Sequence, residues 1–202
     1  MQLAFWERMI RRSEKPYRVR EIFNMPCRRE DGPIWIFDRM GATRTQLPDG
    51  RVISIGGEYE DYYDPDFCIY NDVIVQEPPD QLAIYGYPAD VFPPTDFHTA
   101  TMAGSCIVIV GCLGGQQSRR PGHTPVYSLD LRDYRISEMP TTGEDHGWIF
   151  KHQAALEPNE VIKIWGGEVI HANGNKQRYR RLLLVCPSSR HLDELQGIGQ
   201  NT

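Results

Sequence analysis

"GRVISIGGE" (residues 50–58) is a short apolar run closed by two glycines, and the chain repeats it as "SCIVIVGCL" (105–113) and "EVIKIWGGE" (160–168). The closing glycines Gly56, Gly111 and Gly166 stand 55 residues apart, and Gly57 and Gly167 double the first and third. A few consecutive Val and Ile residues ending in glycine read as a buried strand running into a sharp turn. Glycine suits such a turn because a residue without Cβ takes positive φ freely. These five glycines are therefore read as structural.

The flanks repeat as well. Before the glycines lie "ATRTQL" (42–47), "DFHTATM" (96–102) and "FKHQAAL" (150–156). Behind them come "IYNDVIV" (69–75), "PVYSLDL" (125–131) and "RYRRLLLV" (178–185). The first two copies add a fourth strand-like segment, "LAIYGYP" (82–88) and "YRISEMP" (134–140). Four short strands in a unit of about 50 residues is the content of one propeller blade.

On these residues the chain resembles the kelch-repeat family of β-propellers, the type to which galactose oxidase belongs. The likeness rests on Gly56-Gly57 and Gly166-Gly167 after apolar strands, on Gly111-Cys112, and on Leu129-Asp130 at the family's aromatic-Asp position. It spans roughly residues 39–186, with Ile84 and Ile136 where kelch repeats usually carry tryptophan. The implied fold is all-β: a partial kelch-type β-propeller, an open arc of about three blades, with a short N-terminal helix. The expected organisation is an N-terminal segment (1–33), a repeat domain (34–186; repeats 39–88, 95–140 and 148–186) and a C-terminal tail (187–202). Closed propellers have about four to eight blades, so three repeats call for further blades or for a homo-oligomer. In "LAFWERMIRR", Leu3, Trp6, Met9 and Ile10 form one helical stripe, which is expected to dock on the protein itself.

Charge is segregated along the 202 residues. Residues 1–30 carry eight Arg or Lys against four Glu, whereas from Arg51 to Arg119 ten acidic residues stand with no cation between them. Such an acidic middle disfavours nucleic acid, whose phosphates need neutralising. No apolar run is long enough for a membrane span. Five scattered cysteines (27, 68, 106, 112 and 186) without a C-x-x-C pattern suit free thiols and a cytoplasmic location.

The acidic loop behind the first glycine pair draws the functional question. Glu58, Glu60, Asp61, Asp64 and Asp66 offer hard oxygen ligands, so a divalent cation is an alternative although no cofactor is expected. Glu60, Asp64 and Cys68 also match the spacing of an iron-holding loop in kelch-like plant specifier proteins, with cysteine in place of histidine. His98 and His152 occupy equivalent places in two repeats, which points to a structural task. The leading expectation is non-catalytic binding of a protein partner by the loops at 57–69, 113–125 and 167–178. The contact candidates are Tyr59, Tyr62, Tyr63, Arg119 and Arg120, since aromatics and arginine dominate binding hot spots. Rival readings are a metal-dependent enzyme using 58–66, with His98 or His123 nearby, and a structural half-propeller that associates with itself.

Overall fold

The computed structural model describes residues 3–25, 35–60, 67–142, 146–179 and 181–185. Helices α1 (Leu3–Arg12) and α2 (Pro16–Ile22) come first, and the remainder is built mainly of antiparallel β-structure. In the first repeat, β1 (Thr43–Gln46) and β2 (Val52–Ile55) lead to a small ribbon of β3 (Glu58–Tyr59) and β4 (Cys68–Ile69), followed by β5 (Asp72–Glu77) and β6 (Gln81–Gly86). The second contains β7 (Thr99–Ala103), β8 (Cys106–Val110), β9 (Val126–Asp130) and β10 (Ile136–Glu138). The third contains β11 (Trp148–Phe150), β12 (Gln153–Glu157), β13 (Val161–Trp165), β14 (Glu168–Ile170), β15 (Lys176–Arg178) and β16 (Arg181–Val185).

Three meander sheets result, ordered β1-β2-β5-β6, β7-β8-β9-β10 and β12-β13-β16. β11-β14-β15 forms an additional three-stranded sheet, and none of the sheets among the described residues closes on itself. The four-strand units expected in the first two copies are present. The third has three strands among the described residues, in line with its missing fourth segment.

Side-chain alternation explains how the meanders stack. On β8, Ile107 and Ile109 face the first sheet and join Ile53, Ile55, Val73 and Val75 in one core. Val108 and Val110, on the other face, pack with Ile162 and Ile164 of the third sheet. A strand covered on both faces reads as a continuous apolar run, which is how "CIVIV" reads. Each fully buried Ile or Val here stabilises the stack by about 2 kcal/mol.

The same backbone contacts join sheet one to sheet two and sheet two to sheet three. Gly57 N–H donates to the Thr95 carbonyl (2.8 Å), and Cys112 N–H donates to the Ile149 carbonyl (3.1 Å). Those carbonyls lie so close that a Cβ on Gly56 would collide with Thr95 O, and one on Gly111 with Ile149 O. Further along, Phe97 N–H donates to Gly41 O (2.8 Å), and Lys151 N–H to Phe97 O (2.9 Å). Gly41, Phe97 and Lys151 all have positive φ, at 65°, 48° and 54°, so this left-handed residue recurs once per repeat.

The N-terminal segment packs on the protein's own surface. Phe5, Met9 and Val19 form a small core with Trp6, Trp35 and Phe37, and Arg11 pairs with Asp80 at the turn between β5 and β6. Ile10 is buried as well. The helical stripe thus shifts to include Phe5. Beneath it the Arg39 guanidinium, 2% exposed, makes a two-pronged contact with Asp72 (2.5 and 2.9 Å) and donates to the Ile36 and Gly56 carbonyls. Trp35 Nε1 donates to the same carboxylate at 2.7 Å. A buried charge pair of this kind tolerates its desolvation only because nearly every donor and acceptor is matched.

Gly56→Ala and Gly111→Ala should each cost roughly 3 kcal/mol or more, because the added methyl must open a joint. Gly166→Ala, at φ 69° with no described residue within 4 Å of its Cβ position, should cost only about 1 kcal/mol for the left-handed backbone. Thermal melts of the three variants decide this. Equal losses would show that the turn, and not the joint, requires glycine.

Candidate functional site

The connections after β2 and β8 leave the stack at equivalent places, because Gly56 and Gly111 make the same joint with the following sheet, and the connection after β13 follows the third glycine of the repeat. In the first connection the β3–β4 ribbon sets Glu58 opposite Ile69 and Tyr59 opposite Cys68. Both side chains are half-buried, and the Lys15 ammonium lies 5.8 Å from the centre of the Tyr59 ring. Glu60 is exposed. Asp61, Tyr62, Tyr63, Asp64 and Asp66 lie outside the described residues.

The second connection separates its two arginines. Arg119 folds back on its own loop, with Nε donating to Leu113 O (2.8 Å) and Nη2 to Gly114 O (3.0 Å). Its guanidinium is engaged in shaping the turn, whereas Arg120 is exposed. The third connection is the β14–β15 hairpin, where Lys176 pairs with Glu168 and His171 meets Gln177.

Beneath the first two connections lies a carboxyl pair. Asp96 is fully buried; its Oδ1 accepts the Gly114 N–H at 2.7 Å, and its Oδ2 receives no donor. Glu58 reaches this carboxylate across the joint. Burial first, then the contact with Asp96 and the charge of Glu60, push the Glu58 carboxyl up to about 7, while Lys151 works against the shift. A proton on Glu58 therefore becomes a hydrogen bond to Asp96. Of the residues expected to hold a cation, Glu58 and Glu60 are described, and they do not gather three metal-binding side chains among the described residues. A Ca²⁺ ion would need about six to eight oxygens.

Along the inner strands β1, β7 and β12 runs an open groove of about 420 Å³, lined by Thr43, Thr45, Thr99, Thr101, Gln153 and Arg44 among others. Here the two equivalent histidines do the same work. His98 Nε2 meets Thr43 Oγ1 and His152 Nε2 meets Thr99 Oγ1, each at 2.8 Å. In both rings Nδ1 is buried without a partner. The lower cost is to leave an acceptor unmatched, which assigns the proton to Nε2, donating to threonine. Burial drives His98 down to about 3, helped by His152, and His152 down to about 4. Cys112 is equally inert, its thiol pushed up to about 12 by burial.

Sequence reasoning placed the histidines in a structural role but missed Asp96 and the groove. The groove's signal is present as T-x-T at 43–45 and again at 99–101. Asp96 carries no comparable mark, since its counterparts Met40 and Phe150 are apolar.

No protein-family model matches this chain, and no curated protein matches it significantly.

The lowered histidines fix a pH dependence. Between their folded values and the unfolded value of about 6.5, the unfolded chain binds more protons, so stability falls as pH falls. At pH 5 the loss should be about 2 kcal/mol per imidazole. Glu58 acts with opposite sign, adding stability below about 7 that is lost as pH rises. Melting temperature measured from roughly pH 7 to pH 5 should therefore drop in the wild type, where two imidazoles outweigh one carboxyl, and rise in His98→Gln/His152→Gln, where only the Glu58 contribution remains. An unchanged slope in the double variant would exclude the histidines as its source.

Proposed function

We propose that this chain is a non-catalytic binding module, a kelch-type partial propeller whose loops at 57–69, 113–125 and 167–178 recognise a protein partner. The observation that supports this reading is that the first two connections leave equivalent places in neighbouring sheets, each rooted in a backbone joint. A scaffold that holds loops in fixed register suits recognition better than loops that must order on binding.

The described side chains divide the labour. Tyr59, backed by Lys15, offers a half-buried aromatic in the first loop, and Arg120 offers an exposed cation in the second. Arg119 supports Arg120 by pinning the turn through the Leu113 and Gly114 carbonyls. An acidic first loop next to a cationic second loop presents both signs to one partner, which favours specificity over indiscriminate charge attraction. The neutral, threonine-bonded histidines and the raised Cys112 thiol also fit a scaffold, since a base or nucleophile would be tuned in the other direction.

The test compares partners captured by the wild-type chain with those captured by Tyr59→Ala/Arg120→Glu. The variant should keep its melting temperature and lose affinity for one partner by about 100-fold, the scale of two hot-spot truncations. Full retention of every partner by the variant would overturn the assignment. Arg119→Glu is unsuitable for the comparison, because it would unfold the loop it shapes.

A further inference from the structure

The two joints within the chain are assembled from matched halves, and the two ends of the stack carry an unmatched half each. At the third sheet, Gly166 keeps the left-handed φ of Gly56 and Gly111 (69° against 57° and 66°), yet no described residue lies within 4 Å of its Cβ position. The Gly167 N–H and Lys151 carbonyl, counterparts of Gly57 N–H and Phe97 O, have no partner among the described residues.

The first repeat offers the complement. Arg39 O corresponds to the Thr95 and Ile149 carbonyls, and Gly41 N–H to those of Phe97 and Lys151. Neither has a partner among the described residues. Met40 occupies the place of Asp96 and Phe150, which are both 0% exposed in their joints, but it is itself 54% exposed. We infer that the third sheet of one chain receives the first repeat of a second copy, with Arg39 O seated against Gly166 and Gly41 N–H donating to Lys151 O.

Continuity with the internal joints argues for this occupant. The receiving face belongs to the same stack of sheets and retains a glycine that no described neighbour requires. The first sheet's outward side is buried on its central strands, at Ser54 and Ile74, and Arg11 holds α1 at the β5–β6 turn, while Arg44 and Gln46 on the inner strand stay exposed. Two head-to-tail joints would close two chains into a ring of six sheets, within the range of about four to eight that radial closure uses. Ala42 stands where His98 and His152 stand in the internal joints, so the new joint lacks the imidazole–threonine bond and should be the weakest.

This assembly does not depend on the loops proposed to bind a partner, so Tyr59→Ala/Arg120→Glu should associate like the wild type. Sedimentation velocity of the full chain over a concentration series should show a monomer–dimer equilibrium. Gly166→Ala blocks the receiving surface, and Met40→Lys on the entering one brings a second ammonium to Lys176, which already satisfies Glu168. Each should raise the dissociation constant about 100-fold or more. Mixing the two variants leaves one intact surface of each kind, so the mixture should form a one-to-one pair that neither forms alone. A wild type that stays monomeric at the highest concentration would overturn the inference. So would dimers unaffected by both substitutions, or variants that fail to restore a pair when mixed.

Discussion

A backbone carbonyl pressed against a glycine Cα is the contact on which the stack depends. Thr95 O sits over Gly56 and Ile149 O over Gly111, and each accepts the next residue's N–H. At that separation a Cβ has no room, so the glycine is imposed by the neighbouring sheet as much as by its own turn. The constraint fixes which face of β8 meets which sheet: register at the glycine determines whether Ile107 and Ile109 or Val108 and Val110 point each way. A slip of one residue would exchange the two sets. Much of the apolar burial therefore follows from where one oxygen is placed.

Burial at the joints also explains why their polar groups behave unusually. Arg39 and Asp72 satisfy one another along with Trp35 and two carbonyls. His98 and His152 have one partner each, a hydroxyl, which cannot offset a positive charge in so dry a setting, and they remain neutral. Glu58 faces a carboxylate, so it holds a proton more tightly than an exposed glutamate does. The histidines and Glu58 follow one rule: a buried ionisable group takes whichever protonation state its fixed neighbours can satisfy. The histidine and glutamate terms oppose one another as pH falls, so the joint between the first two sheets contains both an acid-sensitive and an acid-favoured contact.

The strands were legible because local pattern and tertiary role agree there. "VISI", "CIVIV" and "VIKIW" are β-rich locally and are also the buried strands, and the segment before each glycine pair became the inner strand. Legibility failed where a residue's role comes from another repeat. Phe97 and Lys151 carry no sequence mark of a left-handed backbone, and their conformation answers to the carbonyl below them. Asp96 lies in an otherwise plain stretch and matters only because Glu58 reaches it from the preceding sheet. Arg119 resembles Arg120 in composition, but only its position lets it turn inward to two carbonyls. The β11-β14-β15 sheet was hidden for a different reason: "WIF" and "EVI" are each three residues long, too short for alternation to register.

The two ends of a stacked array face the same physical problem, since each exposes a surface that internal sheets bury. The first sheet meets it with an aromatic cluster of helices over part of its outward side. The third meets it with chemistry: Lys163 on β13 stands where the first two sheets have Ile53 and Val108, and it pairs with Glu157 of β12, while Trp165 remains partly exposed. An exposed pair of this kind contributes little to stability, roughly 0–1 kcal/mol. Covering it would remove that small gain and add a desolvation cost, which the burial of Trp165 and two backbone hydrogen bonds must exceed. Such a balance favours an interface that forms and separates with concentration over one that is permanent. A surface with apolar residues in place of Glu157 and Lys163 would be sticky even without a partner. A surface without Gly166 would have no seat for one. The third sheet combines a charged pair with an open glycine, and that combination is what a reversible joint requires.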